Sequence, residues 1–293
     1  TNTGNSKRTG EIVLTAAGDI SATVKVTQAA HIEIDWDKTF FKGVLGYRFT
    51  GDWCGYCPNL EYDIARFSKE QPGRFNYMSI YDASSSGRLS YSASSRYETR
   101  FNVSGKPTIV LDERGLATSL SSPGYHDVIE AFCTEEVTSY PSMTCISAYS
   151  SVIDDKVSVH PVVYAKNSGT YHIHVALLEN GIVAKQTDYT GLYSEDQLAK
   201  FVHDNVVRAH ATKLLTGDEF TVGAKENQMF NYSIDIPKTV LDKKNLSLAI
   251  YVTRPVVDGP QSVSRVSYYR NFNEFVDNSI IIPVGQTADI RYE

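Results

Sequence analysis

Cysteine is scarce in this chain, with four among 293 residues, and that scarcity excludes both a small disulfide-framework protein and a cysteine-rich metal protein. A basic excess is also missing. Lys and Arg number 28 against 34 Asp and Glu, a net charge of -6, so no nucleic-acid partner is expected. No apolar run approaches the roughly 20 residues of a membrane helix, and the polar start Thr1-Asn2-Thr3-Gly4-Asn5 lacks the apolar core of a signal peptide. Any targeting segment is therefore expected to have been removed. What is present, 42% hydrophobic and 21% charged, is an ordinary globular composition of about two domains' length.

Two of the four cysteines stand together in Phe49-Thr50-Gly51-Asp52-Trp53-Cys54-Gly55-Tyr56-Cys57-Pro58. An apolar strand breaks at Gly51, and a helix begins with Pro58 in its first turn, where proline sacrifices no hydrogen bond. Thiol–disulfide exchange needs two sulfurs close enough to bond and a first thiol that ionises easily. A Cys-x-x-Cys at a helix N-terminus supplies both, because the positive end of the helix favours a thiolate. By position, Cys54 is expected to attack and Cys57 to resolve the mixed disulfide. A permanent disulfide and half of a zinc site are the alternatives. Zinc needs four ligands, and Cys133 and Cys145 bring no second Cys-x-x-Cys, so neither a metal nor any other cofactor is expected.

Along the chain the texture changes twice. Residues 11 to 28 read as a hairpin turning at Ala17-Gly18-Asp19, too small to be stable alone and so expected to be the end of a larger module. From 31 to 140, strand and helix alternate. Val44 to Phe49 and Phe75 to Tyr81 read as strands. Leu60, Ile64 and Phe67 recur at helical spacing, a weak helix spans Tyr91 to Phe101, Thr108 to Leu111 is a strand, and His126 to Val137 is a last helix. After Pro141 helices nearly vanish, and at least six segments alternate at period two between Asn-Gly, Asp-Gly and Ser-Gly turns, which predicts a β-sandwich. Within it, His172 and His174 share one face of a strand and are expected on a solvated face. The serine-rich loop Asp82 to Arg88 follows a strand on the same rim as Cys54, where ligands gather in open α/β sheets.

The segment 31–140 resembles the thioredoxin fold. The resemblance is carried by Trp53-Cys54-Gly55-Tyr56-Cys57 after a strand and by Phe101-Asn102-Val103-Ser104-Gly105-Lys106-Pro107-Thr108-Ile109-Val110 about 50 positions later. It implies that Pro107 is cis and faces the cysteines, and that Lys106 offers its backbone to a substrate strand, with Trp53 and Tyr56 beside them. Thioredoxins usually carry an acid six positions before the first cysteine, and this chain has Arg48 there. If Arg48 points at the sulfurs, its charge favours the Cys57 thiolate without acting as a base; the alternative is an arginine paired with a nearby acid. Asp52 is the second residue expected to tune the site. Cys133, in an apolar helical set, and Cys145, at the start of the second domain, are expected either to form a disulfide staple or to be two small buried hydrophobes.

A wider resemblance rests on Phe49-Thr50-Gly51, on Leu178-Glu179-Asn180-Gly181-Ile182-Val183, and on Val202-His203-Asp204-Asn205-Val206-Val207-Arg208 followed by Gly217-Asp218. These resemble the outer-membrane lipoprotein family related to the 28-kilodalton Omp of anaerobic gut and oral bacteria. The N-terminal hairpin is similar to the tail of a BACON module. The resemblance implies an exported protein of the periplasm, outer membrane or cell surface, held to the membrane only by a lipid on a cysteine absent from this sequence. It implies a location and no reaction. The expected fold class is thus an α/β thioredoxin-like domain (31–140) followed by an all-β sandwich domain (141–293), after a short N-terminal β-hairpin fragment (1–30). The expected function is thiol–disulfide exchange on exported protein thiols or disulfides with an unidentified redox partner. The alternative is a surface adhesion or glycan-handling module, with a surface glycan as partner and a structural Cys-x-x-Cys.

Overall fold

The structure is a computed structural model that describes residues 8–18, 20–28, 33–257, 259 and 262–293. The polar start at 1–5 and Asp19 of the expected hairpin turn lie outside them. The chain divides into two compact units, Thr1–Lys38 and Thr39–Glu293. In the first, Arg8–Ala16 pairs antiparallel with Ile20–Gln28, with Glu11 opposite Lys25 and Ile12 opposite Val24. Within this two-stranded ribbon, Ile12, Val13, Leu14, Ile20, Val24 and Val26 are exposed, because two strands have no second layer to cover them.

In the second unit one sheet dominates. Edge to edge its strands are Ser267–Tyr268, Gly115–Thr118, Thr108–Leu111, Val44–Thr50, Phe75–Tyr81, Val206–His210, Gly169–Glu179, Leu246–Pro255 and Glu274–Pro283, and Asp218–Val222 adds a tenth by pairing with Gly169–Glu179. The join is made at Ser79. Its residue pairs in parallel with Val206, its amide donates to Asn205 O at 2.7 Å, and its hydroxyl donates to Asp204 O at 2.7 Å. A second sheet is built on the long hairpin Thr144–Ile153 and Lys156–Ala165.

Period-two alternation sends neighbouring residues of the central strands to opposite cores. Val44, Ile109 and Leu111 join Leu60, Ile64 and Phe67 of α1 (Cys57–Glu70) and Val128, Ile129 and Phe132 of the helix Gly124–Ser139. Leu45, Tyr47, Phe49 and Val110 face the other way, into a cluster shared with Ala176, Leu178, Val207, Ala249, Tyr251 and Val276. Between α1 and that last helix lies α2 (Ser94–Arg100), so the helix Gly124–Ser139 is α3; a short α4 (Glu195–Ala199) follows. The third core lies between the two sheets and holds Val157, Val159, Val163, Ile173, Val175, Leu177, Leu248 and Ile250.

This architecture corrects the expected fold class. The chain is mostly β, 43% strand against 16% helix, and an α/β thioredoxin-like domain followed by a separate all-β sandwich is not what it forms. Phe75–Tyr81, which would be an outer strand of the first domain, pairs on to Val206–His210, so strands from both sides of Pro141 share one sheet and one apolar cluster. Periodicity shows that an element is a strand but not which strand lies beside it.

The histidine pair also differs from expectation. His174 is buried and stacked on Tyr251 at 4.3 Å, and His172 Nδ1 lies 2.8 Å from Glu274. His172 stays partly exposed, and both histidines line an open pocket together with Leu214 and Phe272.

Candidate functional site

Cys54 and Cys57 are bonded to each other, with Cα atoms 5.4 Å apart. The loop before them is closed by its own backbone: Cys54 N donates to Gly51 O at 3.1 Å and Cys57 N to Cys54 O at 3.2 Å. Cys57 opens α1, with Pro58 in the first turn and the side chain of Tyr56 making no capping bond. The aligned peptide dipoles of that turn favour negative charge at the helix start, where the sulfurs lie. Both cysteines are buried, at 3% and 4% exposure, whereas Trp53 and Tyr56 between and beside them are half exposed.

Around the pair the fold gathers residues from three loops. The Lys106–Pro107 peptide is cis, and Pro107 O accepts from Tyr125 OH at 3.0 Å and Thr118 Oγ1 at 2.9 Å. Lys106 Nζ sits between Asp82, at 3.0 Å, and Glu98, at 2.9 Å, and 5.9 Å from the Trp53 ring. Trp53 Nε1 in turn donates to Asp82 Oδ1 at 3.3 Å. Burial alone would raise the Asp82 carboxyl, but hydrogen bonds from Ser84 and Lys106 outweigh it and hold the group at about 2. Burial would likewise lower the Lys106 ammonium, and its bonds to Glu98 and Asp82 reverse that. Asp52 accepts the Ser86 amide at 3.1 Å, which pins the serine-rich loop against the disulfide loop. Arg208, on the neighbouring strand, holds the far end of that loop by donating to Arg88 O at 2.7 Å.

Arg48 is buried under the site, paired with Glu61 and 3.4 Å from Tyr81 OH. Tyr81 OH continues to His203 Nδ1 at 2.7 Å, and burial together with the Arg48 charge pushes His203 down to about 4. Glu61 lies one helical turn beyond Cys57 on the same face of α1, so the arginine is answered by an acid from the helix that Cys57 opens.

The other two cysteines are not part of this site and do not form the expected staple. Both are free and buried. Cys133 packs into the core between α1 and α3, and Cys145 lines a small cavity with Asn76 and Ile281. Burial pushes both thiols above their ordinary range.

A groove of about 590 Å³ opens beside the disulfide loop, lined by Tyr56, Asn59, Lys106, Pro107, the segment Ser119 to Ser122, and Thr190 and Leu192. The last two residues come from a segment that sequence reasoning missed. Residues 186–192 lie across the Cys-x-x-Cys loop. Thr187 N donates to Asp52 O at 2.8 Å and Tyr189 N to Gly55 O at 2.7 Å, and the buried Gln186 Nε2 reaches Gly51 O at 3.2 Å and Cys54 O at 3.1 Å. The one local cue was Gly55, since a Cβ there would meet the Tyr189 ring at 2.2 Å. A contact across about 130 positions leaves no other trace in the sequence.

The family model described as outer membrane protein Omp28 matches residues 94–267, more than half of the chain. The chain belongs to the Omp28 family. Members of this family are outer membrane proteins, and the chain is accordingly exported, to the outer membrane or the cell surface. The match takes in Lys106, Pro107 and the 186–192 segment, while Cys54 and Cys57 precede it. Among solved structures, HBP35 of Porphyromonas gingivalis is similar to this Omp28-family chain with a TM-score of 0.63 at 14% identity, covering 84% of this chain and 76% of that one. That likeness concerns the fold. A protein of Agrobacterium tumefaciens reaches a TM-score of 0.49 at 14% identity over 85% of this chain and 97% of its own. No curated protein matches.

Proposed function

We propose that this Omp28-family chain carries out thiol–disulfide exchange on exported proteins through Cys54 and Cys57. The observation that carries the reading is a groove walled by Tyr56, Lys106 and Pro107 beside a bonded cysteine pair at a helix start. A thiolate of a substrate dithiol attacks Cys54 Sγ, the Cys54–Cys57 bond breaks, and Cys57 leaves as a thiolate that takes up a proton. The second substrate thiol then loses its proton and attacks its own sulfur in the mixed disulfide, releasing Cys54. Two electrons and two protons pass from the substrate, which becomes a disulfide, to the cysteine pair. The same steps run backwards when the client's reduction potential is the higher. A separate dithiol or disulfide of the same chemical class resets the pair.

In this reading Trp53, Tyr56, Lys106 and Pro107 contact the client. Lys106 has no main-chain partner among the described residues, which leaves its N–H and C=O to pair with an incoming strand. Asp52 fixes the Ser86 edge of the site, and Arg48, paired with Glu61, lies beneath it. The N-terminal ribbon is BACON-like, in keeping with the exposed apolar residues on both of its strands.

The test is a trapping experiment. In Cys57→Ser, the Cys54 thiol is expected to accumulate a mixed disulfide with an oxidised cysteine peptide, seen as a mass adduct that dithiothreitol removes, whereas Cys54→Ser accumulates far less. If neither variant forms an adduct and the wild-type protein neither oxidises nor reduces the peptide, the cysteine pair is a structural bond.

A further inference from the structure

Four carbonyls of the disulfide loop accept hydrogen bonds from one distant segment. Gly51 O and Cys54 O accept from the Gln186 carboxamide, Asp52 O from Thr187 N, and Gly55 O from Tyr189 N. The segment is itself held at both ends. Gln186 N donates to Leu198 O at 3.0 Å, Asp188 accepts Thr190 N at 2.7 Å, and α4 beyond it starts in a capping box of Ser194 and Gln197. Tyr189 lies edge-on to Tyr56 at 5.6 Å, and Tyr62 and Phe201 clasp Tyr193 just past the segment. An ordinary surface connection needs none of this attention to the backbone of a redox loop. Moreover, Thr190 and Leu192 form one wall of the groove whose other walls are Lys106, Pro107 and Ser119 to Ser122.

We infer that residues 186–192 are a strap that selects the client. It turns an open cysteine site into a slot that accepts a cysteine on an extended polypeptide segment and rejects a disulfide lying on a folded surface. The inference rests on the exchange reading above and deepens it. Three features carry it. Cys54 is only 3% exposed, so a partner must bring its sulfur down into the slot. The strap lies against the disulfide loop and walls the groove beside it, and its exposed Tyr189, bonded to Gly55 O, forms the rim that a broad surface meets before it meets Cys54. The groove volume, about 590 Å³, falls within the range of pockets that hold a few residues' worth of ligand, too small for a folded face. Gln186 is a positioning residue here, since its carboxamide holds the loop carbonyls and touches no sulfur in the contacts described. Tyr189 supplies the rim.

The experiment uses the full chain and compares exchange with two substrates of one sequence. One is an extended peptide carrying a mixed disulfide to a small thiol, and the other is the same segment with its disulfide closed inside a small folded domain. The wild-type protein is expected to react with the extended form at least about tenfold faster. Tyr189→Ala, which removes the rim, and Gln186→Glu, which sets an acceptor against two carbonyls, are each expected to cut that ratio by about tenfold. Tyr189→Phe keeps the ring and is expected to keep the ratio, an outcome a general loss of structure would not give. Should Gln186→Glu fail to fold, the exposed Tyr189→Ala still decides the matter. A wild-type ratio near one, or a ratio unchanged in the opened variants, overturns the strap while leaving exchange intact. Absence of exchange with both substrates overturns the exchange reading and the strap with it.

Discussion

At the scale of single residues, buried ionisable groups set how the protein responds to pH. Burial pushes His210 down to about 4, burial with Arg48 nearby does the same to His203, and burial with two neighbouring histidines takes His174 well below its usual range. A group depressed in the fold supports stability above its unfolded value and loses that support as pH falls. Asp112 behaves in the opposite sense. Burial pushes it up to about 8 despite Lys42 3.6 Å away, so its contribution is greatest in acid and fades as pH rises toward 8. Between roughly pH 4 and 6.5 the unfolded chain takes up protons on its histidines that the fold refuses, and these outnumber the protons that Asp112 and the likewise raised Glu113 keep only in the fold. Stability therefore falls on acidification. From about pH 6.5 to 8 only Asp112 remains and the slope reverses, at no more than about 1.4 kcal/mol per unit. Urea unfolding across this range is expected to show a maximum near pH 6.5, and stability that rises toward pH 5 would contradict neutral buried histidines. Residue identity in the sequence singled out Cys54 and Cys57, which are bonded, and Lys106 and Pro107, which line the groove beside them. It could not reveal that Glu61 answers Arg48 or that Gln186 grips the loop carbonyls, because a side chain's partner depends on packing.

At the scale of elements, local pattern was a reliable guide. Strands appear at Phe75–Tyr81 and Thr108–Leu111 as the alternation predicts, and the helix expected at 126–137 spans Gly124–Ser139. Its start is fixed by another helix. Pro123 gives α3 no side-chain cap, and Asp63 of α1, fully buried, accepts Tyr125 N and His126 N at 3.1 Å and Ser122 Oγ at 2.6 Å. This carboxylate does for α3 what a capping residue does locally, and it sits at the positive helix end. Asp63→Ala leaves two buried amides unpaired and is expected to cost about 2–4 kcal/mol, read as a lower urea midpoint. Asp63→Asn, which keeps an acceptor, is expected to recover much of that loss. The strand Ile182–Ala184 ends two residues before Gln186, whose side-chain amide turns toward the disulfide loop.

At the scale of the whole molecule, the ten-stranded sheet runs through one compact unit, Thr39–Glu293, which is expected to unfold cooperatively. A fragment ending at residue 140 would expose the edge of Phe75–Tyr81 and strip Ala176, Leu178, Val207, Ala249, Tyr251 and Val276 from the core around Tyr47 and Phe49. It is expected to lack dispersed amide NMR signals and to aggregate through its bare edge, whereas 39–293 unfolds in one transition. A well-folded 39–140 fragment would show that the shared sheet is incidental to stability. By itself, the sequence determined the elements, the cysteine pair at a helix start and the family to which the chain belongs. Each is written in short-range pattern: alternation, a proline in a first turn, two cysteines three residues apart. Only the tertiary structure decided that the two halves share one sheet, that Cys133 and Cys145 remain apart, and that a strap from residues 186–192 walls the groove. Those outcomes depend on which surfaces meet when apolar area is buried, and residues more than a hundred positions apart carry no local mark of the partner they will find.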